Sequence, residues 1–511
     1  MPRSPISRAL IVTTAAAALI LPATVRAELT TATAQQVTNT KGGKNQNPVI
    51  DRSGKVMVFT SNVDQAGGTI TDPTETFDHD ESGNAFASGP APQPICVGCD
   101  GVNDSTGNLF LWRLKKKGAA PANSVTQITT STTGGFTANQ FPDMNQRATH
   151  VAWDSDQDHV GTNADGNREI FLYDLRAGTT TQVTNTTGNG DTANRAANLD
   201  DKGGVLVFDS RVDFSADANC KQTDGTTACS NADGNSEIML LDRAANALTQ
   251  ITNTTGNAAN ANIRGRVSND GRYVAFQSTR DFGTQLGTIA TCTLLDGTTA
   301  CGNADGNGEI LLFDRDANTL TQVTSTANAG TCSGTNPNER VEISKRGKYL
   351  TWQSKCEAEL NPTGCGDCDG NDEVFLAEIK AKRVVQATIS EGGFNRVPRI
   401  SGSGRYIVFE SNRGYLGTNA GHGRTLYVLK RVPFKNPPAG LTAKVQLEED
   451  ATLNGSGVMQ NPDTDATTIN FTGGFNTTIE QFGVSTNGRY VSFDNSKGVG
   501  NQETWLLDRK N

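Results

Sequence analysis

The stretch NADGNGEILLFDRDANTLTQVT, residues Asn303–Thr324, decides the fold. Near-copies of it occur at Asn163–Thr184 and Asn231–Thr252, so the three copies begin 68 and 72 residues apart. Each copy has a turn cluster, an apolar run, a polar turn and a short β-branched run that ends in Thr. Self-similarity at a nearly fixed period is the mark of a repeat protein, so the repeat must be settled before function.

The repeat has three pieces. The first is a pair of strands around a turn, as in RVSNDGRYVAFQS, Arg266–Ser278, where Asn-Asp-Gly supplies residues that tolerate positive φ. The second piece is the EIxLxD strand and the third is the LTQVT strand. Alternation along the second strand of the pair, with Val274 and Phe276 on one face, predicts one buried face.

Each piece can be counted seven times along the chain. Seven units of four strands predict an all-β fold, a closed seven-bladed β-propeller of four-stranded antiparallel blades. The chain opens with an unpartnered LTQVT-type strand, Thr33–Thr38, and ends just after an EIxLxD-type strand at WLLDRKN. The N-terminal strand is therefore predicted to complete the last blade and to hide the open edges. The two-strand pieces end near Ser61, Ser155, Ser210, Ser278, Ser354, Ser411 and Asn495.

The sequence divides into a short leader and one domain. Residues 1–27 resemble a secretory signal, with Arg3 and Arg8 before an apolar run and small residues before Glu28. Residues 28–511 form the predicted propeller, with loop insertions near 64–107 and 448–478 that are rich in Gly, Asn, Asp, Thr and Pro. We expect an exported, periplasmic or secreted monomer without a membrane span in the mature chain.

The charge excludes some partners. The formal net charge is −9, and removal of the three arginines of residues 1–27 leaves −12. An acidic chain without a basic block is a poor ligand for nucleic acids or anionic membranes.

The ten cysteines fall into five local pairs, which an exported chain is expected to oxidise to disulfides. The CVGC and CGDC pairs leave a zinc knuckle or a redox site open, although they lie about 270 residues apart and no His is near either. The predicted pairs are Cys96/Cys99, Cys220/Cys229, Cys292/Cys301, Cys332/Cys356 and Cys365/Cys368.

The run VSNDGRYVAFQSTRDF, Val267–Phe282, followed by NADGNGEILLFDRDANTLTQVT, resembles the TolB-type propeller repeat, a WD40-like group of bacterial periplasmic proteins. That family's pattern is Ser-Pro-Asp-Gly, a strand, Ser-x-Arg-Asp-Gly, Glu-Ile-Tyr and Leu-Thr. Here Asn269 replaces the Pro, several loops are longer, and the N-terminal α/β domain of TolB is missing. The resemblance implies a stand-alone propeller and is weak evidence for function.

The Asn-x-Asp-Gly-Asn-x-Glu loop is a candidate calcium site, because oxygen ligands at alternate positions around a Gly suit that ion. The alternative is a plain turn, since Asx side chains bond nearby backbone, with the Glu paired to Arg280 or Arg413. The candidate ligands are Asn163, Asp165, Asn167, Glu169, Asn231, Asp233, Asn235, Glu237, Asn303, Asp305, Asn307, Glu309, Asp367, Asp369, Asn371 and Glu373.

The innermost strands are expected to line an axial channel, where a polar ring of mixed sign could hold a peptide terminus or an acidic sugar. The alternative is a solvated wall with internal ion pairs. The candidate channel residues are Asn194, Arg195, Arg266, Glu339, Glu342, Asn395, Arg396 and Arg399.

Signals for an enzyme are few. His79, His150, His159 and His422 share no motif, and no Gly-x-Ser-x-Gly elbow occurs. The leading hypothesis is a non-enzymatic scaffold that binds protein or glycan and requires no cofactor. The second is a loop-built hydrolase or lyase on an extracellular polymer, which two or three carboxylates with a His or Arg at one channel mouth would indicate. The third is a calcium-stabilised structural module.

Overall fold

The structure is a computed structural model. It describes residues 33–38, 43–62, 95–97, 106–114, 123–131, 138–188, 190, 193–256, 261–327, 332, 337–356, 360, 370–388, 390, 392–412, 425–431, 452–453, 459–460, 482–497 and 501–508. The predicted signal, most of both insertions, and the predicted site residues Cys99, Cys365, Cys368, Asp367 and Asp369 lie outside these ranges, as do His79 and His422.

The described chain is built from short strands, which form the meander that the repeat predicts. The first six strands are β1 (Thr33–Gln36), β2 (Gly43–Ile50), β3 (Val56–Ser61), β4 (Ile95–Val97), β5 (Asn108–Leu114) and β6 (Asn123–Gln127). The next nine are β7 (Asn139–Met144), β8 (His150–Ser155), β9 (Glu169–Asp174), β10 (Thr179–Gln182), β11 (Asn194–Leu199), β12 (Val205–Ser210), β13 (Cys220–Gln222), β14 (Glu237–Asp242) and β15 (Ala247–Gln250).

The chain continues with the same pattern to its end. The next nine strands are β16 (Asn262–Val267), β17 (Tyr273–Ser278), β18 (Thr291–Leu294), β19 (Glu309–Asp314), β20 (Thr319–Gln322), β21 (Asn338–Ile343), β22 (Tyr349–Ser354), β23 (Glu373–Glu378) and β24 (Arg383–Gln386). The last eight are β25 (Asn395–Ile400), β26 (Tyr406–Ser411), β27 (Thr425–Lys430), β28 (Thr452–Leu453), β29 (Met459–Gln460), β30 (Gly483–Val484), β31 (Tyr490–Lys497) and β32 (Asn501–Asp508).

Four strands make the antiparallel set of a unit, and in some units a short extra strand lies between the second and the third in sequence. In one sheet β16 pairs β17, β17 pairs β19 and β19 pairs β20, all antiparallel, while β18 adds a parallel edge strand beside β20. The EIxLxD piece is therefore the third strand and the LTQVT piece the fourth. This confirms the prediction of four-stranded antiparallel blades in a propeller of the all-β class.

The number of sheets differs from the prediction. The described strands form six sheets, not seven, and one of the six has nine strands. The reason is a short parallel contact between β2 and β32, at Gly43↔Asn501 and Lys44↔Gln502, which joins strands from both ends of the chain. In the same sheet β1 pairs antiparallel with β32, from Thr33↔Asp508 to Gln36↔Trp505.

The core lies between neighbouring sheets. One cluster packs Val207 and Ile238 of one sheet against Val274 and Phe276 of the next. Within a sheet, cross-strand partners stack, as Trp352 does on Phe375 with ring centroids 5.9 Å apart. The side chains that alternate inward along each second strand therefore fill the space between two sheets, as expected for face-to-face sheet packing.

The turn between the first two strands brings a glycine against the preceding sheet. Gly404 has φ of 68°, and a Cβ there would lie 2.2 Å from the Tyr349 ring at the start of β22. A Cβ at Gly347 would collide with the Tyr273 ring in the same way, and a Cβ at Gly54 would collide with the Tyr490 ring. Glycine is required at these turns both for the left-handed backbone and for the close approach of an aromatic ring.

We expect Gly404→Ala to lower the free energy of unfolding by about 2 kcal/mol, because the left-handed conformation and the displaced ring each cost about 1 kcal/mol. Gly225→Ala is the matched control, since Gly225 has φ of 71° and open space around it. It should lose only about 1 kcal/mol. Urea titrations of both variants measure the difference, and equal losses would show that the tyrosine contact contributes nothing.

Candidate functional site

Six of the described inner strands carry a bulge at the same place, namely β2, β7, β11, β16, β21 and β25. The register shifts between Arg195 and Asn198 in β11, and the corresponding shift occurs in β16, β21 and β25. A residue inside each bulge has positive φ, which is 59° at Arg264 and 60° at Arg340. Bulges bend a strand and re-aim its side chains, and non-glycine residues with positive φ often mark functional sites.

The bulges surround the channel between the inner strands. A cavity of about 190 Å³ lies against β7, β11, β16, β21 and β25. A second cavity of about 140 Å³ shares Phe141, Arg266, Glu342 and Arg399 with it, and extends past β2 and β30. The larger cavity is strongly cationic, because its charged lining residues are five arginines and two carboxylates, namely Arg195, Arg264, Arg266, Arg340, Arg399, Asp209 and Glu342.

A shared carboxylate holds the centre of the cluster. Arg266 Nε donates to Glu342 Oε1 over 2.9 Å, and Arg399 Nη1 donates to the same oxygen. The side chains of all three residues are only 16–17% exposed. One negative charge thus lies between two guanidinium groups in a largely desolvated place, and Asp143 is a second acid near both arginines.

The pKa shifts agree with the cationic character of the cavity. Burial, together with repulsion from the neighbouring Arg266, Arg340 and Arg264, lowers the pKa of Arg399 to about 9 against the attraction of Asp143. Burial also lowers the pKa of Arg266, which Asp143 and Asp209 partly offset. An anion in the cavity would favour the charged forms of these arginines.

The acids of the channel accept hydrogen bonds, mainly from backbone N–H groups. Asp143 Oδ2 accepts hydrogen bonds from the backbone N–H of Leu199 over 2.7 Å and from Asn198 Nδ2 over 3.1 Å. Asp209 accepts one from the backbone N–H of Arg264 over 3.3 Å. Burial raises the pKa of both aspartates, and the nearby arginines pull it back.

The structure brings four of the eight predicted channel residues to the cavities: Arg195, Arg266, Glu342 and Arg399. Glu339 lies 3.6 Å from Arg264. Arg396 pairs with Asp372 over 2.6 Å and stacks on Phe394.

Asn194 and Asn395 differ from the channel prediction. Both are fully buried between sheets, because each amide donates to a carboxylate of the preceding sheet, Glu169 and Glu373 respectively.

Sequence reasoning missed Arg264, Arg340, Asp143 and Asp209. Asp143 could have been found, since it occupies the register position of Arg266, Glu342 and Arg399 in its own inner strand. Arg264 and Arg340 sit in the bulges, where simple alternation no longer tells which way a side chain points.

The glutamate that begins each third strand ties two sheets together. Glu237 Oε1 accepts from the backbone N–H and the hydroxyl of Thr254, over 2.7 and 2.8 Å, and Oε2 accepts from Asn262 Nδ2 over 3.0 Å. Asn262 begins the inner strand of the next sheet. Equivalent bonds surround Glu169, Glu309 and Glu373. We call this set of contacts the inter-sheet lock.

Burial raises the pKa of Glu237 to about 7, with the hydrogen bonds from Thr252 and Thr254 acting in the opposite direction. Burial likewise raises the pKa of Glu309 to about 7 against its bonds to Thr324 and Thr326. These carboxyls already accept hydrogen bonds from threonine and asparagine, which leaves them poorly placed to bind a metal ion. Among the described residues, no group of three His, Cys, Asp or Glu side chains is arranged to hold a metal ion.

Three of the five predicted disulfides are confirmed: Cys220–Cys229, Cys292–Cys301 and Cys332–Cys356. The first two close equivalent loops on the edge strands β13 and β18 of successive sheets. The other two predicted pairs each include cysteines outside the described ranges. No helix in the described ranges is long and apolar enough to cross a bilayer.

No family model matches the sequence, and no curated protein is significantly similar to it. Solved propeller structures do resemble the fold. TolB from Acinetobacter baumannii is 17% identical with a TM-score of 0.36, over 64% of this chain and 58% of that one. An oligogalacturonate lyase from Vibrio parahaemolyticus is 9% identical with a TM-score of 0.49, over 93% of both chains.

An acylaminoacyl peptidase from Pyrococcus horikoshii is 8% identical with a TM-score of 0.42, over 92% of this chain and 52% of that one. This chain therefore spans about half of that peptidase and little more than half of the Acinetobacter TolB. Such distant likenesses say nothing about activity, and the fold assignment rests on the strand register described above.

Proposed function

We propose that this chain is an exported, TolB-like propeller that binds the anionic group of a protein or glycan in its axial cavity, as a scaffold rather than an enzyme. The observation that carries the proposal is the set of five arginines around one cavity. The acids that line it or lie near the arginines, Asp143, Asp209, Glu339 and Glu342, leave one positive charge in excess. Burying arginines beyond what the local acids neutralise is costly, and a bound anion offsets that cost.

The cavity suits a carboxylate at the end of a ligand. Arginine presents a planar fork of donors that matches carboxylate geometry. A volume of about 190 Å³ is smaller than the roughly 300–1,000 Å³ typical of whole small-molecule sites. A peptide C-terminus or one acidic sugar residue is therefore the proposed ligand, with the remainder of the polymer outside the cavity.

The long loops lie at the same end of the sheets as this cavity. Asn194 at the start of an inner strand pairs Ser210, and Ser210 pairs Glu237, so the loop 211–236 begins and ends beside the inner strand's first residues. Arg195 of the cavity is the next residue along that strand. A ligand held by the arginines would thus extend towards these loops.

Ring closure by the N-terminal strand is the architectural part of the proposal. The four-residue pairing of β1 with β32 supports this, as does the contact of Gly54 with Tyr490. Export is supported by the signal-like residues 1–27 and by three disulfides.

A loop-built hydrolase or lyase is the second candidate. Asp143 and Glu342 lie with Arg266 and Arg399 around one cavity, and two carboxylates with an arginine at the channel are what such an enzyme would require. It ranks second because Glu342 is shared by two guanidinium groups and Asp143 accepts two hydrogen bonds. Neither carboxylate is then well placed to take a proton from a substrate.

We expect Arg340→Asn to weaken binding of oligogalacturonate, or of a peptide with a free C-terminus, by about 10- to 100-fold. A hydrogen bond to a charged group contributes about 1.5–3 kcal/mol, and asparagine tolerates the positive φ of this position. Arg405→Asn is the matched control, because exposed Arg405 stacks on Tyr406 away from the cavity. Isothermal titration calorimetry on residues 28–511 gives both affinities.

Two uncharged comparison ligands, titrated in the same way, test whether the cavity recognises an anionic group. A neutral oligosaccharide and a C-terminally amidated peptide should bind at least tenfold more weakly than their anionic counterparts. Equal affinity of anionic and neutral ligands, or equal effects of the two arginine substitutions, would refute the proposal. Unsaturated or shortened sugars, or cleaved peptide, in the recovered sample would instead establish the enzyme.

A further inference from the structure

Three Asp-Gly-Asn loops, Asn163–Glu169, Asn231–Glu237 and Asn303–Glu309, share an unsatisfied pair of oxygens. Both asparagines of each loop, at its first and fifth positions, are buried, and Asn235 and Asn307 are fully so. The six side-chain Oδ1 atoms have no hydrogen-bond partner, namely those of Asn163, Asn167, Asn231, Asn235, Asn303 and Asn307. A buried acceptor without a partner costs about 1–3 kcal/mol, so six in equivalent places require a physical reason.

The orientation of these amides is fixed by their nitrogens. Asn231 Nδ2 donates to the backbone carbonyl of Asn235 over 2.9 Å, and Asn235 Nδ2 donates to that of Thr254 over 2.7 Å. A flipped amide would place oxygen against carbonyl oxygen, so the unpartnered atom must be Oδ1. The same two bonds recur in the other loops, at 2.9 and 2.8 Å from Asn163 and Asn167, and at 2.8 and 2.7 Å from Asn303 and Asn307.

Each loop also receives a carboxylate from the end of the second strand. Asp213 lies three residues after Ser210, the last residue of β12. Its Oδ1 accepts a hydrogen bond from the backbone N–H of Asn231 over 3.1 Å. Asp158 and Asp281 make the equivalent bonds to Asn163 and Asn303, over 3.1 and 3.2 Å. The central aspartates Asp165, Asp233 and Asp305 of the loops are exposed. Every loop therefore has two carboxylates in or bonded to it and two buried amide oxygens without a hydrogen-bond partner.

We propose that each of these three loops binds one calcium ion through the two asparagine Oδ1 atoms and the aspartates beside them. Calcium takes 6–8 oxygen ligands in a flexible geometry that includes carboxylates, amide carbonyls and water. The ligand set differs from the one expected from the sequence, because the terminal glutamate belongs to the inter-sheet lock and Asp158, Asp213 or Asp281 takes its place. A buried water would also satisfy two acceptors, but it would gain nothing from two nearby negative charges.

Residues 28–511 should melt about 2–5 °C higher in 10 mM calcium than in a chelator, since ligand binding stabilises the folded state by mass action. The same concentration of magnesium should give little or no rise, because that ion requires near-octahedral geometry and keeps its waters. Equilibrium dialysis in calcium should show at least three ions per chain. Identical melting curves in calcium and chelator would overturn the proposal and leave water as the occupant.

A charge-removing variant locates the site. Asp213→Asn with Asp233→Asn keeps the acceptor oxygens but removes both charges from the second loop, so it should bind one calcium fewer and fold normally in chelator. Asp224→Asn is the control, because exposed Asp224 lies in the same long loop and caps only Thr226 and Thr227. Equal calcium content in the two variants would overturn the assignment, whatever the outcome of the sugar and peptide titrations.

Discussion

Replacing Glu373 by Ala is expected to lower the free energy of unfolding by about 3–5 kcal/mol, at the upper end of what single substitutions do. Glu373 is fully buried at the start of β23. Its carboxylate accepts the backbone N–H of Ser390 over 2.8 Å, the Ser390 hydroxyl over 2.6 Å, Asn395 Nδ2 over 2.9 Å and the Thr388 hydroxyl.

The size of the effect follows from the number of donors left unpaired. Alanine offers no acceptor, so buried donors of two adjacent sheets lose their partner at once, at about 1–3 kcal/mol each. The hydroxyl groups can turn to other acceptors, which keeps the total below the simple sum. Because Asn395 starts the next sheet, the loss also loosens the contact between the two sheets.

The same strand supplies the control. Glu378 ends β23 and pairs with Arg383 at the surface, and surface ion pairs contribute only about 0–1 kcal/mol. Glu378→Ala should therefore change stability by less than 1 kcal/mol. Urea unfolding followed by tryptophan fluorescence compares the two variants. A loss below about 1 kcal/mol in Glu373→Ala would show that water replaces the carboxylate and that the lock is not essential.

The strands could be predicted from the sequence because their cause is local. Alternating residues such as Val274 and Phe276, and turn residues such as Gly271, determine strand and turn within a few positions. The number of sheets could not be predicted, since it depends on a two-residue pairing of Gly43 and Lys44 with Asn501 and Gln502, far apart in the sequence.

The candidate site was only half predictable, for a similar reason. Arg266, Glu342 and Arg399 follow from their equivalent places in the repeat, but Arg264 and Arg340 lie in bulges that break the alternation. The role of Glu237 was missed because its partners, Thr254 and Asn262, lie 17 and 25 residues away in sequence. The spacing of oxygen-bearing residues in the Asp-Gly-Asn loops indicated a cation site. Which of those oxygens lack a hydrogen-bond partner depends on the folded backbone and does not follow from the spacing.

Stability is expected to fall at mildly acidic pH because of His159. Its ring contacts Trp153 and Phe171, with centroids 5.7 and 4.8 Å away, and Nε2 bonds Asn139 Oδ1 over 2.8 Å. Burial lowers the pKa of His159 to about 4, against the weaker opposing effect of Asp158. The folded pKa lies below the unfolded value of about 6.5, so the unfolded chain binds the proton more readily.

The contribution of neutral His159 is therefore complete above about pH 6.5 and is lost as the pH falls towards 4. Linkage gives a loss of about 2.5 kcal/mol between pH 7.5 and 4.5. We expect the stability difference between the parent and His159→Gln to shrink by that amount over this range, in urea titrations at each pH. A difference that stays constant would mean that the imidazole titrates equally in both states.

The buried glutamates give the opposite sign and serve as the control. Burial raises the pKa of Glu237 to about 7, above its unfolded value of about 4.5. The folded chain then binds the extra proton, so this contribution is present below pH 4.5 and is lost as the pH rises through 7. Glu237→Gln should remove that loss, and its difference from the parent should grow towards acid while that of His159→Gln shrinks. Two variants with opposite slopes in one buffer series separate these buried groups from a general acid unfolding, which would give both variants the same slope.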